Sequence, residues 1–106
     1  MSGFDDRERA AENKKAREEE LKFKKAARRN KLFGLWAADL MGIKGEAAEA
    51  YAKEVIAADL ESAGDDDVFR KVEGDLKKKG VDMSEHRIRR RMEELLVEAE
   101  RQLAKG

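Results

Sequence analysis

The chain has 106 residues, 41% of them hydrophobic and 45% charged, with 24 Lys and Arg against 24 Asp and Glu and neither cysteine nor proline. That length suits one small domain, and zero net charge argues against a protein held on nucleic acid or an anionic membrane by bulk electrostatics. The missing cysteines remove disulfides and thiolate metal sites, and no run approaches the roughly 18 apolar residues of a spanning helix or the apolar stretch of a secretion signal, so a soluble cytoplasmic protein is expected.

Ala, Glu, Lys, Arg and Leu supply 64 residues, more than the roughly half that already signals long helices. Strand formers are scarce: Val 5, Ile 3 and no threonine. With proline absent, glycine is left to punctuate the helices. Breaks at Gly42 to Gly45, Gly64 and Gly80 divide the chain into four helices, so the expected fold is all-α, a small four-helix bundle.

The first helix has two unlike halves. Of the 27 large apolar residues only Met1, Phe4, Leu21 and Phe23 precede Leu32, and none lies between Phe4 and Leu21. At roughly 25 cal/mol per Å² of apolar area, such a stretch cannot offset its ordering entropy by packing within the chain. Its composition is nevertheless that of a helix, with Ala10, Ala11 and Ala16 among charges paired four apart at Asp5/Arg9, Lys14/Glu18, Glu18/Lys22 and Glu20/Lys24. Such pairs add a few tenths of a kcal/mol each, which leaves the helix marginal in water. Residues 1–20 are therefore expected to form an arm that is disordered or marginally helical when free, attached to a four-helix domain over 21–106. Leu32, Phe33, Trp36 and Leu40 share a face, so 28–40 should pack into that domain, with Trp36 and Phe33 as core.

The second helix is expected over 46–60, with Ala48, Tyr51, Ala52, Val55, Ile56 and Leu60 as its stripe, and the third over 66–79, with Val68, Phe69, Val72 and Leu76. Three aspartates, Asp65 to Asp67, stand at the positive end of the third helix's dipole and Lys77 to Lys79 at its negative end, with Gly80 suited to the left-handed position that follows. The last helix carries Ile88, Met92, Leu95, Leu96, Ala99 and Leu103, with Ser84 as N-cap and Met83 placed to staple against Ile88. Segment charges are uneven: 1–31 sum to +4, 46–82 to −5 and 84–106 to +1, so a basic arm faces an acidic middle.

Catalytic apparatus is not visible, and no enzyme, cofactor or metal site is expected. His86 is the single histidine, so a His-rich metal site is excluded, the missing cysteines remove a Cys/His set, and no Ser/His/Asp set is expected around it; it reads as a solvated surface residue. The aspartate run lacks the alternating ligands and closing glutamate of an EF-hand loop. Gly42-Ile43-Lys44-Gly45 has the glycine spacing of a KH loop but no flanking strands, so it reads as a turn. Arg87, Arg89, Arg90 and Arg91 form a basic knot whose expected partners are glutamates of the same and preceding helices.

Phe4, Asp5, Asp6, Arg7, Glu8, Arg9 and Ala10 resemble the opening of the zeta subunits that inhibit the F-type ATP synthase of alphaproteobacteria. Glu20-Leu21-Lys22-Phe23-Lys24 and the block Ala27-Arg28-Arg29-Asn30-Lys31-Leu32-Phe33-Gly34-Leu35-Trp36-Ala37-Ala38 continue the resemblance, as do Ala50-Tyr51-Ala52 and Asp65-Asp66-Asp67-Val68-Phe69-Arg70-Lys71. The likeness weakens after Gly80, and the stretch from His86 to Arg91 matches no motif of the family. It implies a four-helix protein, monomeric when free, whose arm enters an interface between the α, β and γ (rotor) subunits of the catalytic head and blocks rotation in the hydrolysis direction. The contacts it implies lie at Phe4, Asp5, Asp6, Arg7, Glu8, Arg9 and Ala10 and onward through Glu12, Lys14 and Lys15, with the protein peripheral to the inner membrane when bound and touching neither lipid nor nucleic acid. An arm with helix propensity and no core face is what such a plug needs. The alternative is a small nucleic-acid module using Lys24, Lys25, Arg28, Arg29 and Lys31; a coiled-coil adaptor is poorly served by helices this short.

Overall fold

The computed structural model describes the backbone of residues 2–61 and 65–105 and the side chains of 18–59 and 66–105. Four helices follow one another: α1 (Ser2–Leu40), α2 (Glu46–Glu61), α3 (Asp65–Lys78) and α4 (Glu85–Lys105). No strand occurs among the described residues. The helix ends fall within three residues of the glycine and cap signals, because the chemistry that stops a helix is local.

Gly42 takes φ 76°, the left-handed conformation that a side chain disfavours. This lets the Ile43 N–H reach Ala38 O at 2.8 Å and the Gly42 N–H reach Asp39 O at 3.1 Å, the paired bonds of a Schellman close. Gly80 at φ 75° does the same for α3, with the Val81 N–H on Leu76 O at 2.9 Å and the Gly80 N–H on Lys77 O at 3.0 Å. Ile43 and Val81, just past each glycine, fold back onto the core. At the start of α4, Ser84 Oγ accepts the Arg87 N–H at 3.2 Å, the expected N-cap, and Met83 packs against the cluster that contains Ile88.

The core joins Phe33, Ala37 and Ala38 of α1 to Tyr51 and Val55 of α2, Val68, Phe69, Val72 and Leu76 of α3, and Ile88, Met92 and Leu95 of α4. Each expected stripe that lies within the described side chains is buried or half-buried; Leu60 lies outside them. α1 is the shared wall: α2 and α4 pack along it and α3 closes against all three. Arg28 meets Gln102 while Trp36 lines one pocket with Arg87 and Arg90, so α4 runs antiparallel to α1. Against α2 the approach is close, for a Cβ placed on Gly34 would stand 2.7 Å from Ala52 Cα.

One polar clip ties α2 to α3. The Tyr51 hydroxyl donates to Asp75 Oδ2 at 2.8 Å, and Lys71 Nζ reaches the same oxygen at 3.2 Å and Glu54 Oε2 at 3.6 Å. Burial first, then the hydrogen bond to Asp75 and the negative charges of Asp75 and Glu54, push the Tyr51 hydroxyl well above its ordinary range. A raised folded-state value stabilises the fold below the unfolded tyrosine's pKa of about 10 and loses that contribution as pH climbs past it. Tyr51 is the only tyrosine, so phenolate absorbance reads it alone. On alkaline titration the phenolate signal is expected to rise only with loss of helical circular dichroism, and Tyr51→Phe is expected to lower stability at neutral pH by about 1–2 kcal/mol while reducing alkaline sensitivity. A phenolate appearing in the folded protein near pH 10 would contradict the assignment.

Candidate functional site

Seven consecutive residues of α1, 18–24, are exposed. Seven residues make about two full turns, so here no face of the helix is buried and it is leaving the bundle. Packing begins with Lys25, Ala26 and Ala27, which are half-buried, and is complete at Arg29 and Asn30. The expected rooted end therefore starts three residues before Arg28. Leu21 and Phe23 remain exposed, 49% and 61%, and Lys24 pairs with Glu20 at 3.2 Å as the four-residue spacing predicts. Together with the 39 residues of α1, which at about 1.5 Å each span roughly 58 Å, this accounts for the 65 Å long axis of the molecule.

The root itself is polar. Arg29 is 3% exposed and Asn30 fully enclosed, with Arg29 Nε donating to Asn30 Oδ1 at 2.9 Å. Asn30 Nδ2 is buried with no hydrogen-bond partner among the described residues, a costly arrangement. Arg28, next along, donates from Nη1 to Gln102 Oε1 at 3.0 Å and fastens the root to the end of α4. One turn further on, Phe33 stacks on Trp36 at 5.6 Å between ring centres. Phe33 is wholly buried as expected, whereas Trp36 is half-buried and also walls an open pocket.

The contact residues expected from Phe4, Asp5, Asp6, Arg7, Glu8, Arg9, Ala10, Glu12, Lys14 and Lys15 lie outside the described side chains. The five basic residues of the nucleic-acid alternative are not gathered into one surface. Lys24, Arg28 and Lys31 line a groove with Phe23, Ile56 and Leu103, but Arg29 is buried, Lys25 is half-buried and Arg28 is tied to Gln102. Burial of Arg29 against its neighbours was not foreseeable from a run of like charges, and a strip that loses its members to the interior does not track a phosphate backbone.

The arginine knot resolves into two sets. Arg89 bonds Glu85 at 3.3 Å and Asp66 of α3 at 3.4 Å and lies 4.1 Å over the Phe69 ring, so its partner on the preceding helix is an aspartate rather than the expected glutamate. Arg90 and Arg91 share Glu94 at 3.7 and 3.3 Å. His86 is exposed, as expected. No group of three or more potential metal ligands occurs among the described residues, and no described helix is long and apolar enough to cross a membrane.

A rooted helix thus runs off a small bundle with its side chains exposed over 18–24. Residues 1–102 match the family described as ATPase inhibitor subunit zeta. The chain belongs to that family. Its members are regulatory subunits, so the family carries an ATPase-inhibitory role and an association with the ATP synthase catalytic head. The chain is also similar to a protein whose structure was solved by solution NMR, 48% identical, over 80% of this chain and 96% of that one, with a TM-score of 0.72. No curated protein matches the chain.

Proposed function

We propose that the chain inhibits ATP hydrolysis by the F-type ATP synthase by inserting the N-terminal end of α1 at an interface between α, β and rotor subunits, where it blocks rotation in the hydrolysis direction. The observation that carries this reading is the passage of α1 out of the bundle at residues 18–24, exposed on all sides, from a root fixed by Arg28, Asn30 and Phe33. A helix attached to a packed continuation is already nucleated, so extending it toward the N-terminus on a target surface needs only propagation. Phe4 is the apolar anchor, Asp5, Asp6, Arg7, Glu8 and Arg9 supply directional ion pairs, and Ala10, Glu12, Lys14 and Lys15 continue the contact along the helix. The arm occupies 1–20 and the domain 21–106. The protein works in the cytoplasm as a monomer and sits peripheral to the inner membrane once bound.

Deleting residues 1–19 is expected to abolish inhibition of the purified enzyme while leaving the thermal transition of the remainder nearly unchanged, because the described core draws on α1 only from Leu32 onward. A truncated protein that still inhibits overturns the reading.

A further inference from the structure

Four arginines open α4, and stability alone does not place them there. The first turns of a helix carry the positive end of its dipole, which favours acids and disfavours cations; α3 obeys this, with Asp66 and Asp67 at its start and Lys77 and Lys78 at its end. In α4 only Arg89 is consumed by packing, through Glu85, Asp66 and the Phe69 ring. The remaining three, Arg87, Arg90 and Arg91, converge with His86 and Glu94 on a pocket of about 350 Å³ walled by Trp36. Arg87 has no ion-pair partner among the described residues, its backbone N–H alone being used by Ser84, and Arg91 Nε is buried with no hydrogen bond.

We propose that this pocket docks an acidic segment, a run of Asp and Glu side chains one helical turn apart on the surface of the ATPase; that identity of the partner rests on the inhibitor reading above. Glu94 stands in the pocket as the same-helix partner of Arg90 and Arg91, so a carboxylate already fits between these guanidiniums. A compact polyphosphate would meet that carboxylate head-on, whereas an acidic helix can leave Glu94 in place and take Arg87 and the outer edge of Arg90. Residues three apart on a helix stand about 5–6 Å apart, the spacing of carboxylates one turn apart on a partner helix, and the guanidinium fork matches each carboxylate with two hydrogen bonds. Lys15 and Trp36 are separated by 21 residues of α1, roughly 31 Å at about 1.5 Å per residue. The pocket is thus a second contact, remote from the arm, that tethers the domain to the enzyme and raises the effective concentration of the arm.

Trp36 is the only tryptophan, so its emission reports the pocket directly. Titrating the full chain with an oligoglutamate peptide is expected to give a saturable change in Trp36 emission that weakens with salt. Arg87→Glu combined with Arg90→Glu, both exposed, should weaken it about tenfold or more with helical circular dichroism retained, and an oligoglutamine peptide should give no change. No saturable response, an unaltered affinity after charge reversal, or tighter binding of tripolyphosphate than of the peptide would overturn the proposal. With purified ATP synthase, the double variant is expected to need about tenfold more protein for half-inhibition while reaching full inhibition at saturation; unchanged potency would overturn the assignment of the acidic segment to the ATPase. If the unaltered chain does not inhibit at all, the arm reading fails, and the peptide titration still decides the pocket.

Discussion

Phe33→Ala is expected to remove about 3–5 kcal/mol of stability, a large part of the roughly 5–15 kcal/mol that holds a small domain together. The ring is wholly enclosed, stacks on Trp36 with the planes 11° apart, and belongs to the one cluster in which all four helices meet. Truncation forfeits the transfer energy of the ring and leaves a void that α1 cannot close, because Gly34 already holds it against Ala52. The denaturant midpoint should fall steeply with little change in slope. Emission from Trp36 should shift as its stacking partner disappears. Since residue 33 lies in the same helix as the arm, the variant should also inhibit more weakly at temperatures where its root melts. A loss under about 1 kcal/mol would mean that the root is not seated as the structure has it.

The same exchange, glycine to alanine, is expected to act in opposite directions at two helix interiors. At Gly34 a Cβ would stand 2.7 Å from Ala52 Cα and 3.2 Å from Val55 Cγ2. The first of these is backbone and cannot swing aside, so α1 and α2 must separate. The helix-propensity gain of about 1 kcal/mol is outweighed by overpacking of about 1–3 kcal/mol together with the loosening of every contact along that seam. A net loss of up to about 2 kcal/mol is expected for Gly34→Ala. At Gly74, in the interior of α3, nothing lies within 4 Å of the added carbon, and Gly74→Ala should gain about 0.5–1 kcal/mol. Thermal unfolding of the two variants beside the unaltered protein checks both; equal signs would refute the close approach of α1 and α2.

The arm presents a different physical case from the core. Its chemistry is local: charge pairs four apart, alanines and no apolar face within 5–20, features that a linear reading registers because helix energetics are short-ranged. On the proposed target the register of that segment would be set by a second surface, which no intramolecular contact encodes. For the pocket at the start of α4 the reverse holds. Its arginines are conspicuous in the sequence, yet their sorting into one structural residue and three gathered around Trp36 follows from which face of α4 meets α1 and α3.

Four helices, their ends and their buried stripes were all legible in the chain, because each depends on neighbours within one or two turns. Gly42 and Gly80 stop helices by their own φ, Ser84 caps with its own hydroxyl, and Val68, Phe69, Val72 and Leu76 line up through the period of the helix alone. The burial of Arg29 and Asn30, the contact of Gly34 with Ala52, the Tyr51 to Asp75 hydrogen bond and the hold of Asp66 on Arg89 were not. Each of these pairs an atom of one helix with surroundings built by others, and helix pairing is settled by the packing of whole faces rather than by the residues on either side. A basic run along 24–31 could thus have been a strip for a polyanion; packing against α2 and α4 made it a root.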